Sequence, residues 1–141
     1  MDEVFVGRMG GVLQSPARLG ALEEWLFALS PPAPLRQTDE LAVQRGKAIF
    51  DAPATRCSTC HSGTHFTNDA TLSVGTQARI PLQVPSLVGV GHRAPFMHDG
   101  CAPTLAARFS DPACGGGEEH GKTAHLTAEE VTDLVAYLES L

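Results

Sequence analysis

The sequence predicts an all-α domain of few helices, joined by long ordered loops that a bound group must organise. Three observations carry this. Three stretches have helical apolar spacing together with end-capping residues. The segment 62–125 is rich in Gly, Pro, Thr and short polar residues, too long an irregular stretch for a compact domain unless something holds it. Aromatic residues make up only 6% of the 141 residues although 43% are apolar, a thin supply of flat surface that an embedded planar ligand would supplement.

The first helix is expected over residues 15–29. Ser15 is a suitable N-cap and Pro16 a suitable first residue, while Leu19, Leu22, Leu26 and Leu29 form a stripe at three- and four-residue spacing. Ser30-Pro31-Pro32-Ala33-Pro34 ends it as a stiff linker. A second helix is expected over 38–51, with Thr38 as cap and Asp39 and Glu40 in the first turn, where the helix dipole favours acids. The loops hold only brief helical possibilities, such as residues 104–108. The last helix starts at Thr127, has Glu129 and Glu130 in its first turn, and aligns Val131, Leu134, Val135 and Leu138 on one face.

Between the second helix and the loops stands Cys57-Ser58-Thr59-Cys60-His61. A C-x-x-C-H run is read as c-type haem attachment. Two thiols at this spacing add across the two vinyl groups of one porphyrin, and the adjacent His is then held beneath the iron. Two other readings stay open. Cys57, Cys60, His61 and His65 could bind zinc, although a second Cys/His pair at matching spacing is lacking. A redox dithiol would want a strand before the motif, where a helix is expected instead.

The sixth iron ligand is expected from His120 or Met97, among a wider set that includes His92, His98 and His125. His120 lies just before the last helix, where the chain returns over the haem face. Cys101 and Cys114 are expected to pair, since free thiols beside a redox centre in an oxidising compartment are a liability; two buried reduced cysteines are the alternative.

The two chain ends resemble each other. Met9-Gly10 precedes a helix ending Trp25-Leu26-Phe27-Ala28-Leu29, and His120-Gly121 precedes one ending Tyr137-Leu138-Glu139-Ser140-Leu141. Residues 1–34 are therefore expected to be the tail of a preceding cytochrome domain plus linker, and 35–141 a second such domain. Met1-Asp2-Glu3-Val4-Phe5 is not a secretory signal, whereas c-type haem is attached outside the cytoplasmic membrane. The expectation is a piece of a longer precursor, periplasmic or otherwise extracytoplasmic. A net charge of −6 and a pI near 5.4 argue against nucleic acid as a partner, and no apolar run reaches the roughly 20 residues of a membrane span.

Gly46 with Ala48-Ile49-Phe50, the Cys57–His61 motif, and Tyr137-Leu138 in the terminal helix together resemble a class I cytochrome c. In that fold a small residue, here Gly46, lets Phe50 meet the aromatic Tyr137. Val84-Pro85-Ser86-Leu87 and, above all, Ala94-Pro95-Phe96-Met97-His98-Asp99-Gly100 resemble the C-terminal haem domain of bacterial di-haem cytochrome c peroxidases and their MauG-like relatives. The resemblance implies haem c on Cys57 and Cys60 with His61 as proximal ligand, in the electron-transfer half of a two-haem protein. A peroxidase acting at the haem iron is the alternative. It further implies a preceding haem domain and a redox partner such as a small cytochrome or cupredoxin. Calcium, which the family often carries between its domains, is a further expectation.

Overall fold

The computed structural model describes residues 3–34, 39–75 and 80–141, which fall into two units, Met1–Pro31 and Pro32–Leu141. The division lies in the same proline run as the expected boundary after residue 34.

In the first unit a π-helical turn over Glu3–Arg8 precedes α1, Pro16–Ala28. Ser15 caps α1 by accepting from the Arg18 amide at 3.3 Å, with Pro16 as its first residue, as its sequence predicts. The leucine stripe does not become a core. Leu19 and Leu22 are half-buried, Leu26 and Leu29 are exposed, and no residue of α1 is buried.

The second unit is built on two helices, α2 (Glu40–Asp51) and α4 (Ala128–Glu139). Asp39 caps α2 through the Leu41 amide at 3.2 Å; Thr38, the cap expected from sequence, lies outside the described residues. Thr127 caps α4 in a reciprocal box, its hydroxyl accepting from the Glu130 amide at 3.2 Å while its own amide donates to the Glu130 carboxylate at 2.8 Å. The two helices cross at Gly46. A Cβ there would stand 2.0 Å from the Asp133 carbonyl oxygen and 2.8 Å from Tyr137 Cβ, so only glycine permits this approach. The Phe50 and Tyr137 rings consequently meet edge-to-face at 5.3 Å, and Phe66 joins Phe50 at 6.1 Å. Leu134, Leu138, Val90 and Leu105 complete the buried cluster. Each such side chain withdrawn from water contributes roughly 1.5–3 kcal/mol.

A short helix, α3 (Leu105–Ser110), is capped by Thr104 through the Ala107 amide at 3.0 Å and packs beneath α4. The unit is mostly helical rather than wholly so. β1 (Thr71–Leu72) pairs antiparallel with β2 (Leu82–Gln83), in the register Thr71 opposite Gln83 and Leu72 opposite Leu82. Strands of two residues are too short to show an alternating pattern, which is why the sequence does not announce them. Cys101 and Cys114 form a disulfide across Cα atoms 5.8 Å apart. It joins the Phe96–Ala102 bridged turn to the loop that leads to His120.

Candidate haem site

The end of α2 aims the CxxCH motif. Thr55, 1% exposed, turns its hydroxyl back onto the Ile49 and Ala52 carbonyls at 2.6 and 2.9 Å. Arg56 then takes a left-handed conformation, φ 61°, and the chain enters a 3₁₀ turn over Cys57–Thr59. The amides of Cys60 and His61 both bond the Cys57 carbonyl, at 3.3 and 3.0 Å, so the motif is one helical turn. Three- and four-residue spacing on that turn sets Cys57, Cys60 and His61 on a common face, and all three line one cavity of about 740 Å³.

His61 is buried, with Nδ1 3.1 Å from the Phe66 carbonyl oxygen and the Pro85 backbone as a further acceptor beside it. A ring that donates Nδ1–H to a carbonyl keeps Nε2 as its free lone pair, the arrangement of a metal-bound imidazole. Burial holds His61 below its ordinary pKa, which favours the neutral ligand form.

His120 lies across the cavity. Its ring centre stands 6.1 Å from that of His61, with 39° between the planes. Two neutral imidazoles this close could together hold one haem iron between them. Burial first, then the charge of Arg108 and the neighbouring His61, push His120 down to about 3, so its ring is neutral. Met97 also lines the cavity, near the same wall. A Cβ placed on Gly115 would lie 3.2 Å from His120 Cβ and 3.6 Å from Met97 Cε. The structure thus brings both candidate distal ligands to one side, with only His120 in ring-to-ring register with His61. Of the remaining histidines, His98 also borders the cavity although exposed, whereas His65 and His125 are exposed away from it and exposed His92 bonds the Ala33 carbonyl at 2.8 Å through Nε2.

The walls fit a porphyrin. Phe50, Leu87, Val90, Leu105, Phe109 and Leu134 supply apolar surface. Two nitrogens on residues bordering the cavity, His120 Nδ1 and Arg108 Nη1, are buried with no hydrogen-bond partner among the described residues. Such atoms cost about 1–3 kcal/mol each unless something meets them. Sequence reasoning missed Arg108, 7% exposed on α3 and pushed down to about 10 by burial. Its only signal was a cation on an otherwise apolar helical turn.

The rival chemistries fare worse. Cys57 and Cys60 are free thiols, but burial raises Cys57 above its ordinary pKa, the opposite of a reactive dithiol. Among the described residues no group of three or more His, Cys, Asp or Glu side chains gathers as a cation site, which counts against zinc, and the calcium expectation finds no support.

The sequence profile of the di-haem cytochrome c peroxidases matches residues 47–140, from the middle of α2 to the end of α4. The chain belongs to the di-haem cytochrome c peroxidase family. Among its relatives is the methylamine utilization protein MauG of Methylorubrum extorquens, 32% identical over 130 residues, an alignment spanning 73% of this chain and 36% of that protein. The chain therefore spans about a third of the length of this relative. Among solved structures it resembles hydrazine synthase of Kuenenia stuttgartiensis, with a TM-score of 0.74 at 25% identity, covering 99% of this chain and 60% of that one. A MauG-like protein associated with microbial copper homeostasis shares the fold, with a TM-score of 0.60 at 22% identity over 75% of this chain and 45% of that one. Membership of this di-haem family implies haem c as the cofactor. No helix among the described residues is long and apolar enough to cross a membrane.

Proposed function

We propose that residues 35–141 form a class I cytochrome c domain that carries one covalent haem and transfers electrons within a di-haem protein. Cys57 and Cys60 are the thioether anchors, His61 is the proximal ligand and His120 the distal one, with Met97 the second candidate. The observation that carries this reading is the pair of neutral imidazoles facing each other at 6.1 Å across an apolar cavity.

The haem supplies a one-electron ferric/ferrous couple. The chain's part is to hold that couple still. The Phe66 carbonyl fixes the His61 ring and keeps the correct nitrogen free. The α2–α4 crossing at Gly46 locks the helix that feeds the anchoring turn. The apolar walls limit water, so that little solvent rearranges when charge changes. With His61 and His120 both holding a haem iron, no position would be left for peroxide, which disfavours the peroxidase reading for this site.

The likeness between the two chain ends supports residues 1–34 as the close of a preceding haem domain, in keeping with the di-haem family. Covalent haem attachment supports an extracytoplasmic location. The net charge of −6 suits a basic donor, a small cytochrome or cupredoxin.

The ferric spectrum of the exported protein tests this reading. We expect a low-spin signal unchanged by cyanide or hydrogen peroxide. A high-spin haem that binds cyanide would transfer the assignment to the peroxidase alternative.

A further inference from the structure

We propose that Arg108 is a positioning residue for the distal side of this haem site: its buried guanidinium ties down the main chain of His120 and keeps a positive charge beside that residue. The proposal rests on the haem reading above and deepens it.

Buried arginines are ordinarily paired with an acid. Arg108 is 7% exposed and has no carboxylate; the ion pairs among the described residues use Arg45, Lys47 and Lys122. Its Nη2 donates to the His120 carbonyl oxygen, its Cζ lies 4.7 Å over the Phe109 ring, and its Nη1 is buried without a partner. Mere packing would not call for a charge here, since a neutral chain would fill the same space without leaving a bare donor.

The tie matters because His120 sits on a loop and has a competitor. Upstream, the loop is pinned at Cys114 by the disulfide; downstream, the Lys122 amide bonds the Thr55 carbonyl at 2.8 Å. Between these points the Arg108 contact holds the His120 backbone directly. Met97 Cε is near His120, both approaching the same point at Gly115. A loosened His120 would leave the thioether as a ready replacement. A fixed positive charge in a low-dielectric wall also disfavours the more positive ferric state, which raises the reduction potential.

The test uses exported protein whose haem attachment has been verified by mass spectrometry. In Arg108→Gln a donor remains but the charge is gone. We expect the bis-histidine low-spin spectrum to persist while the ferric:ferrous ratio at fixed poise rises about tenfold, about 59 mV for one electron. In Arg108→Met both are lost, and we expect the far-red charge-transfer band of a thioether-ligated ferric haem. That band should vanish in the double variant with Met97→Ala, and Arg108→Lys should restore the potential toward wild type. A ratio within about twofold of wild type in Arg108→Gln overturns the charge role. An unchanged bis-histidine spectrum in Arg108→Met overturns the positioning role. Should Arg108→Met not hold haem, Arg108→Gln and Arg108→Lys decide the charge role through the potential, and Arg108→Leu, read for the same far-red band, decides the positioning role. Low-spin wild-type protein without bis-histidine ligation would instead overturn the His120 assignment on which this proposal rests, and wild-type protein without haem would sink the underlying reading, before any variant is compared.

Discussion

Gly46 shows how far a single position governs this domain. Its missing side chain lets α4 approach until the Asp133 carbonyl occupies the space of a Cβ. Gly46→Ala gains about 1 kcal/mol of helix propensity and forces the two backbones apart, an overpacking loss of about 2–3 kcal/mol. We expect a lower midpoint in denaturant unfolding; an unchanged midpoint would show that the crossing tolerates a methyl. The meeting of Phe50 and Tyr137 at this glycine was legible only through the resemblance of these residues to a class I cytochrome c. Arg108 was not legible, since nothing local says whether an arginine on a short helix faces water or a cavity. Nor was the Phe66 carbonyl, whose role depends on a left-handed φ of 51° at that residue.

At the scale of elements, the caps were the readable part. Ser15 caps α1 as its chemistry predicts, and Thr104 and Thr127, where helices were expected to start, are the caps of α3 and α4. The tie between α2 and α4 was hidden, because it joins residues 88 positions apart: Arg45 grips Asp133 through two bonds of 2.6 and 2.8 Å. The Arg45 guanidinium holds the Asp133 carboxyl below the usual carboxylate range. An acid whose folded pKa is depressed adds stability above its unfolded value, near 4, and loses it as pH falls through the folded one. Asp133→Asn is therefore expected to be less stable than wild type at neutral pH, with the gap closing progressively below about pH 4. Thermal melts across pH check this; a gap that stayed constant into acid would deny the ion pair its role. The β1–β2 pair and the 3₁₀ turns were unreadable for a simpler reason, namely that two or three residues hold too little periodicity.

For the whole molecule, the cavity makes sense of what composition only hinted at. The residues from 62 to 125 form little regular structure, yet Val84, Val90, Ala102, Leu105 and Cys114 within them are buried. Their order follows a shared surface rather than a hydrogen-bonded repeat, so a local reading finds only loops. The cofactor class was legible from five consecutive residues, because covalent haem attachment imposes its spacing on the chain. The opposition of His120 to His61 was half-legible: sequence supplied the candidates, and only the fold could set one ring 6.1 Å from the other.

All of this presumes that Cys57 and Cys60 bind a porphyrin. Peptide mass spectrometry of protein exported by cells competent in haem attachment measures that most directly. The peptide spanning Cys57–His61 should carry one haem through both sulfurs, and Cys57→Ser with Cys60→Ser should abolish it. A colourless protein with both thiols unmodified would contradict the account at its base.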